Sequence, residues 1–166
     1  ERIVVSTYQS VSGAGKSSMD ELIEQTKLVL DGKKVKSKNF TKQIAFNAIP
    51  HIDLFSDDGY TKEELKMANE TKKILGSDIN LTATCVRLPI SVSHSESVNI
   101  KFKKSFTVDK VKDALDNFEG CKVIDKRVDG GYSTPLDAEG KNETFISRIR
   151  HDKTIENGLN LWIVSD

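Results

Sequence analysis

The stretch RIVVSTYQSVSGAGKSSMDELIEQTKLVLDG, residues 2–32, predicts a strand, a glycine-rich loop and a helix in succession. Residues 2–9 are rich in β-branched side chains, which is typical of a strand. After the loop, Ser18 and Glu21 have the spacing of a capping box, in which each side chain binds the backbone N–H of the other. The apolar residues that follow recur on one helical face, and Gly32 is placed to end the helix.

Downstream of this unit, two further helices and five further strands are predicted. Thr61 and Glu64 form a second capping box, at the start of a helix that Gly76 ends. Thr107 begins a third helix, which Gly120 ends. The predicted strands cover residues 82–90, 97–104, 121–125, 144–150 and 159–166. Six strands with three helices at irregular intervals indicate an α+β fold with a mixed, largely antiparallel sheet.

Composition favours one globular domain over residues 1–166 and excludes several classes of protein. The 25 basic and 25 acidic residues cancel, so the net charge favours neither nucleic acid nor a membrane surface as a partner. No transmembrane run or signal peptide is visible in the sequence, and Lys33–Lys38 is interpreted as a solvated loop. Cys85 and Cys121 are too few for a disulfide framework, which favours reduced thiols in a cytoplasmic protein. The histidines are scattered and lack a metal-ligand spacing, so we expect no metal site.

Residues 13–17, GAGKS, resemble part of a phosphate-binding loop between a strand and a helix. The full pattern places its first glycine at position 10, where this sequence has serine. A nucleoside-triphosphatase is therefore disfavoured, although it remains an alternative. A glycine turn at a helix N-terminus exposes backbone N–H groups to an anion, so the loop fits either part of a phosphorylated-cofactor site or a plain turn.

Four charged or titratable residues are candidates for chemistry on their type and position alone. Arg87 lies between apolar neighbours, and it suits a substrate carboxylate if it faces a cleft rather than solvent. His94 lies among serines that can fix its tautomer, which suits acid–base catalysis, although an ordinary surface histidine is the alternative. Glu63 and Lys66 share a helical face, either as a surface pair or as ligand-binding charges near the helix N-terminus.

Five blocks of the sequence resemble bacterial aspartate-semialdehyde dehydrogenases and occur in the order found in that family. They are STYQSVSGAG (6–15), IAFNAIPHID (44–53), GYTKEELKMANETKKIL (59–75), ATCVRLPISVSHSESVNI (83–100) and ENGLNLWIVSD (156–166). Together they span essentially the whole chain, and it is their common order that makes the resemblance specific.

The resemblance implies an oxidoreductase that interconverts aspartyl phosphate and aspartate semialdehyde with NADP(H), in the biosynthesis of lysine, threonine and methionine. It implies that His94 is the acid–base catalyst and that Gln9 orients groups in the active site. The remaining implied roles are substrate carboxylate binding by Arg87, amine binding by Glu63, phosphate binding by Lys66 and cofactor contact by Ser12 and Gly13.

The same resemblance marks two departures. Ser93 stands where many relatives have glycine, and neither Cys85 nor Cys121 matches the nucleophilic cysteine, which the family carries in an Asn-Cys motif upstream of residue 2. The family's Rossmann glycine fingerprint and closing helix are also not found in the sequence. We therefore expect a C-terminal catalytic and dimerisation domain like that of glyceraldehyde-3-phosphate dehydrogenase, with helices on one face of its sheet, homodimeric and inactive in isolation.

Two alternatives to this interpretation remain open. A relative of N-acetyl-glutamyl-phosphate reductase would act on an acylated amine, for which a charge partner such as Glu63 has little use. A dimerisation or binding module without catalytic function would not need Arg87 and His94 for turnover.

Overall fold

The structure, a computed structural model, describes residues 2–76 and 79–166. The strands are β1 (Arg2–Gln9), β2 (Asn80–Arg87), β3 (His94–Lys101), β4 (Cys121–Val123), β5 (Thr144–Asp152) and β6 (Gly158–Ser165). The helices are α1 (Lys16–Leu30), α2 (Lys62–Leu75), α3 (Val108–Asp116) and α4 (Pro135–Ala138), and a 3-10 turn, Val11–Ala14, joins β1 to α1. The six predicted strands and three predicted helices are all present, and α4 is an additional single turn.

The six strands form one sheet in the order β2-β1-β3-β6-β5-β4. The two outer pairs, β1 with β2 and β4 with β5, are parallel, whereas the three inner pairs are antiparallel. This topology confirms the predicted α+β fold with a mixed, largely antiparallel sheet. Strand β2 ends at Arg87, before the predicted boundary, because Pro89 has no N–H to donate to a ladder.

The main hydrophobic core lies between the sheet and two helices. Val5, Ala83, Val98 and Leu161 point from four neighbouring strands to one face, where α2 contributes Met67 and α3 contributes Val111 and Leu115. Both longer helices after α1 therefore cover the same face, as predicted. The single turn α4 lies on the opposite face, where Ala138 packs against Phe145 and Val164. None of the described helices is long and apolar enough to cross a membrane.

The local signals at two helix starts and one helix end are confirmed. Thr61 and Glu64 form the predicted capping box, and Thr107 accepts a hydrogen bond from the backbone N–H of Lys110. Gly76 ends α2 in the left-handed conformation, with φ 58°. That conformation is readily adopted by glycine, which has no Cβ.

The predicted start of α1 is wrong. The helix begins one turn earlier with Gly15 as its N-cap, and the Ser18 hydroxyl donates to the Ala14 carbonyl at 3.0 Å. Glu21 does not cap the helix, because its carboxylate instead accepts the backbone N–H groups of Lys38 and Asn39 at 2.8 and 2.7 Å. A long-range contact has thus taken the side chain that the local pattern assigned to the cap.

The predicted end of α3 is also wrong. The helix ends at Asp116, with Asn117 as its C-cap, and Gly120 lies in the turn that leads into β4. The positive φ of Gly120, 82°, serves this turn rather than a helix cap.

Candidate active site

The helix-covered face of the sheet changes from apolar to polar along the direction of β1. Because alternate residues of a strand point to the same face, the register defines successive rows across β2, β1, β3 and β6. The first row is Ala83, Val5, Val98 and Leu161, the second is Cys85, Thr7, Glu96 and Ile163, and the third is Arg87, Gln9, His94 and Ser165. The third row brings three of the predicted site residues together from three separate strands.

Arg87 is buried at the end of β2, with 8% of its surface exposed, so the solvent-facing alternative does not hold. Its Nη1 donates to the backbone carbonyl of Ser10, and its own backbone exchanges two hydrogen bonds with Ile49, at 2.8 and 3.0 Å. Burial lowers the pKa of Arg87, while the negative charge of Glu63 opposes this change. The guanidinium nevertheless remains charged at neutral pH, and such a buried charge favours an anionic ligand.

His94 begins β3 and lies against the loop after β1. Its Nδ1 is 3.1 Å from the Ser10 hydroxyl and 3.4 Å from the Ser10 backbone nitrogen. Burial lowers the pKa of His94 and the charge of Arg87 lowers it further, whereas the Ser93 backbone, Glu63 and Asp166 raise it. The lowered pKa keeps the imidazole mainly neutral at pH 7, a state in which one ring nitrogen donates a proton and the other accepts one.

Gly13 lies where the side chains of Arg87 and His94 converge. A Cβ at this position would be 3.3 Å from Arg87 Nη1 and 3.4 Å from His94 Nε2, so any side chain would crowd both groups. The absence of a side chain keeps this space open beside a cavity of about 370 Å³. The cavity is lined by Ser12, Gly13, Ser93, His94, Ser165 and Asp166.

Helix α2 brings Glu63 and Lys66 to the polar row that contains Gln9. The Glu64 carboxylate accepts the backbone N–H groups of Thr61 at 2.8 Å and of Cys85 at 3.0 Å, which fixes the start of α2 against β2. The neighbouring Glu63 is thereby left available to the site, where Gln9 Nε2 donates to its Oε1 at 3.5 Å. Lys66 Nζ lies 3.8 Å from Glu63 Oε2 and is more than half exposed, so it forms the outer end of the site.

The structure therefore gathers all seven residues that the sequence singled out. Gln9 links Glu63 to β1, while Arg87 and His94 both contact Ser10. Gly13, next to Ser12 in the chain, lies where Arg87 and His94 converge and leaves the space there open.

Two features of the site escaped the sequence reasoning, and a third, Ser93, was noted only as a departure from the family. Ser10 contacts His94, which is 84 residues away in the chain, and no local sequence pattern predicts such a contact. Ser93 adopts φ 66°, and its hydroxyl is buried without a hydrogen-bond partner; its replacement of a family glycine was the available signal. Glu96 is largely buried in the second row, and burial raises its pKa to about 7.

The lysine of the GAGKS segment does not behave as part of a phosphate-binding loop. Lys16 forms an ion pair with Asp20 at 2.7 Å, and both side chains are mostly exposed on α1. The geometry therefore gives no support to the nucleoside-triphosphatase alternative.

Neither cysteine is placed as a nucleophile toward the site. Cys85 is fully buried beside Met67, and burial raises the pKa of its thiol. A buried, protonated thiol is a poor nucleophile. Cys121 belongs to β4, at the opposite edge of the sheet from β2. In the part of the chain that the structure describes, no three His, Cys, Asp or Glu side chains are grouped to hold a metal ion.

The known proteins that this chain resembles over its full length belong to one family. A family model described as "Semialdehyde dehydrogenase, dimerisation domain" matches residues 1–166. The aspartate-semialdehyde dehydrogenase of Aquifex aeolicus is 47% identical over 168 residues, which cover 100% of this chain and 49% of the relative. The Bacillus subtilis enzyme of the same name is 47% identical over 174 residues, covering 99% of this chain and 50% of the relative. The chain thus spans about half the length of the curated relatives it matches.

Solved structures agree with this result. Aspartate semialdehyde dehydrogenase II of Vibrio cholerae, complexed with ASA, superposes with a TM-score of 0.96 at 43% identity, covering 100% of this chain and 49% of that one. An aspartate semialdehyde dehydrogenase of Candida albicans with NADP has a TM-score of 0.69 at 21% identity, covering 99% of this chain and 45% of that one, and supports the fold alone.

Proposed function

Because the chain belongs to the semialdehyde dehydrogenase dimerisation-domain family over residues 1–166, we propose that it supplies the substrate-binding and acid–base groups of an aspartate-semialdehyde dehydrogenase. The reaction is the reversible reduction of aspartyl phosphate by NADPH, with uptake of a proton, to aspartate semialdehyde, phosphate and NADP+. The observation that carries the proposal is the convergence of Arg87 and His94 on the open space at Gly13, with Glu63 held by Gln9 of the same row.

The charges of this site match the substrate. The buried guanidinium of Arg87 suits the α-carboxylate, because its planar fork binds a carboxylate through two parallel hydrogen bonds. The Glu63 carboxylate suits the free α-ammonium group, and Gln9 holds it in place. Lys66, at the exposed end of the site, suits the phosphate that arrives and leaves.

His94 is assigned the proton transfer. Burial holds its pKa below the ordinary value, so at neutral pH its neutral ring exchanges a proton with the oxygen of the reacting carbonyl group. The family resemblance implies a nucleophilic cysteine that neither the buried Cys85 nor the remote Cys121 matches, so the nucleophile is assigned to a cysteine outside residues 1–166. On this proposal residues 1–166 are inactive by themselves.

The cofactor is assigned as NADP(H), which when bound supplies or accepts the hydride. The fit rests on Gly13, since the missing Cβ leaves room for a flat ring beside His94, and on the hydroxyl of Ser12 at the wall of the same cavity. Ser12 and Gly13 would orient that ring and keep the space beside it open. The nucleotide-binding half is assigned to another part of the complete protein, and the cytoplasm is its proposed location.

A homodimer is the proposed assembly, formed through the face of the sheet opposite α2 and α3. Tyr8 and Trp162 lie side by side on that face, with ring centroids 5.4 Å apart, and Ser97, which pairs with Trp162 across β3 and β6, is exposed. Light scattering coupled to gel filtration tests the assignment: a dimeric mass that Trp162→Asp converts to a monomeric mass is expected. A monomeric mass for the unchanged chain contradicts it.

The substrate proposal is tested with Arg87→Ala in the native polypeptide that contains residues 1–166. Loss of one partner of a buried charge pair costs about 2 to 5 kcal/mol, so kcat/KM for L-aspartate semialdehyde should fall by about thirtyfold or more. Arg127→Ala, in an exposed loop, is the matched control and should leave kcat/KM unchanged. Equal activity of the two variants contradicts the proposal.

The N-acetylated alternative is distinguished by Glu63→Gln. If Glu63 binds a free ammonium group, this variant raises KM for aspartate semialdehyde, whereas Glu70→Gln, on the exposed side of α2, does not. A preference of the unchanged enzyme for N-acetyl-glutamate semialdehyde would overturn the assignment.

A further inference from the structure

The Nδ1 atom of His94 meets two potential donors from a single residue. The backbone nitrogen of Ser10 lies 3.4 Å away with its hydrogen directed at Nδ1, and the Ser10 hydroxyl lies 3.1 Å away. Ser10 is fully buried, so no water competes for these contacts. Both interactions join the loop after β1 to the first residue of β3.

The two contacts at Nδ1 together determine which ring nitrogen of the neutral imidazole carries the hydrogen. A backbone N–H can only donate, so Nδ1 accepts from it only through its lone pair. The Ser10 hydroxyl is free to donate to the same lone pair, because its oxygen lies 2.9 Å from the Ser12 hydroxyl, which can in turn donate to Ser10. Both contacts therefore favour an unprotonated Nδ1 and place the hydrogen of the neutral ring on Nε2.

The Nε2 atom points to the open side of the site. It lies 3.4 Å from the position that a Cβ of Gly13 would occupy, and His94 lines the cavity of about 370 Å³. A hydrogen on Nε2 is thus directed at whatever occupies that space, while Nδ1 is turned away from it toward the protein.

We propose that Ser10 is a positioning residue that holds neutral His94 as the Nε2–H tautomer, so that the ring enters the reaction as a proton donor toward the cavity. The catalytic meaning of this tautomer rests on the proposed function, but the tautomer itself does not. The proton that Nε2 gives up to the reacting oxygen is replaced at Nε2 by one from solvent in the cavity, while Nδ1 keeps accepting from Ser10. The ring is therefore neutral, with its hydrogen on Nε2, before and after the transfer.

The charges around His94 do not determine this choice by themselves. Arg87 on β2 disfavours a positive ring, whereas Glu63 on α2 and Asp166 after β6 favour one. These charges change the balance between neutral and protonated imidazole. The choice between the two neutral tautomers falls to the hydrogen bonds of the ring nitrogens, and the two at Nδ1 come from Ser10.

The test is the ring nitrogen spectrum of His94 in the ¹⁵N-labelled chain, recorded at a pH at which the ring is neutral. We expect a protonated Nε2 and an unprotonated Nδ1 in the unchanged chain. In Ser10→Ala, loss of one net hydrogen bond should change the tautomer ratio about fivefold toward Nδ1–H. Ser95→Ala is the matched control, since Ser95 is an equally buried serine next to His94 whose hydroxyl has no hydrogen-bond partner.

A protonated Nδ1 in the unchanged chain would overturn the inference, and this result requires no variant to fold. An unchanged tautomer ratio in Ser10→Ala, or an equal change in Ser95→Ala, would overturn it as well. The proposed function stands or falls separately, because an Nε2–H tautomer in a protein without dehydrogenase activity would leave the inference intact. In the active enzyme, Ser10→Ala should lower kcat about fivefold with little change in KM, the effect expected for loss of one hydrogen bond in the proton transfer.

Discussion

Glu96 makes the stability of this domain depend on pH in a way that the structure specifies. Its carboxyl group lies on the helix-covered face of the sheet, opposite Thr7 on β1 and Ile163 on β6. Burial raises the pKa of Glu96 from 4.5 to about 7. A carboxyl group whose pKa is higher in the folded state binds more protons there than in the unfolded chain. The protein is therefore most stable below the unfolded pKa of 4.5 with respect to this group, and stability is lost as pH rises toward 7.

The magnitude follows from the size of the shift. Each unit of pKa difference corresponds to about 1.4 kcal/mol, so ionised Glu96 costs about 3 kcal/mol when the pH is well above 7. Glu96→Gln keeps the size of the side chain and removes its ionisation. At about pH 8 this variant should be more stable than the unchanged chain by about 3 kcal/mol, and at about pH 5 the two should differ by less than about 1 kcal/mol.

Urea denaturation across this range measures the effect. Glu119→Gln, at an exposed position, is the matched control and should follow the unchanged chain at every pH. The reasoning fails if the free energy of unfolding of Glu96→Gln changes with pH in the same way as that of the unchanged chain. It fails also if Glu96→Gln is the less stable of the two at about pH 8.

Three further predictions concern single contacts. Ser93→Gly removes a buried hydroxyl and relieves a φ of 66°, so it should raise the free energy of unfolding by about 1 kcal/mol; a loss of stability in urea would refute the strain argument. Glu21→Gln should lower stability by about 2 kcal/mol at neutral pH, because the buried carboxylate accepts hydrogen bonds from Lys38 and Asn39. Burial raises the pKa of Glu21 but these hydrogen bonds lower it more, so the difference from the unchanged chain should vanish as pH falls through this lowered pKa; a constant difference in acid would count against it. Gly13→Ala should lower kcat/KM with little change in melting temperature, since its Cβ would crowd the two side chains beside the cavity. A kcat/KM equal to that of the unchanged enzyme would show that the space is not used.

The elements that sequence patterns predicted correctly are those whose signals are local. The capping box at Thr61 and the stop at Gly76 involve residues within one turn of the helix end. The distant Cys85 N–H binds the other carboxylate oxygen of Glu64, so the cap is kept. The start of α1 was mispredicted because Glu21 is bound by Lys38 and Asn39, which are 17 and 18 residues away. A capping pattern contains no information about such a competitor.

The candidate site shows the same division. Residue type and a family resemblance singled out Arg87 and His94 as candidates, and the register of the sheet explains why they lie in one row. The contact of Ser10 with His94 and the burial of Glu96 depend on strand pairing and on which face the helices cover. Neither is fixed by the neighbouring residues in the chain.

The measurement that tests the central claim most directly is NADPH formation from L-aspartate semialdehyde and phosphate by the native polypeptide that contains residues 1–166. His94→Ala should lower kcat by about 100-fold or more, as expected for loss of an acid–base catalyst. His151→Ala, at an exposed histidine stacked on Phe106, should leave kcat unchanged. Full activity in His94→Ala, or no phosphate-dependent turnover of aspartate semialdehyde by the unchanged polypeptide, would contradict the account.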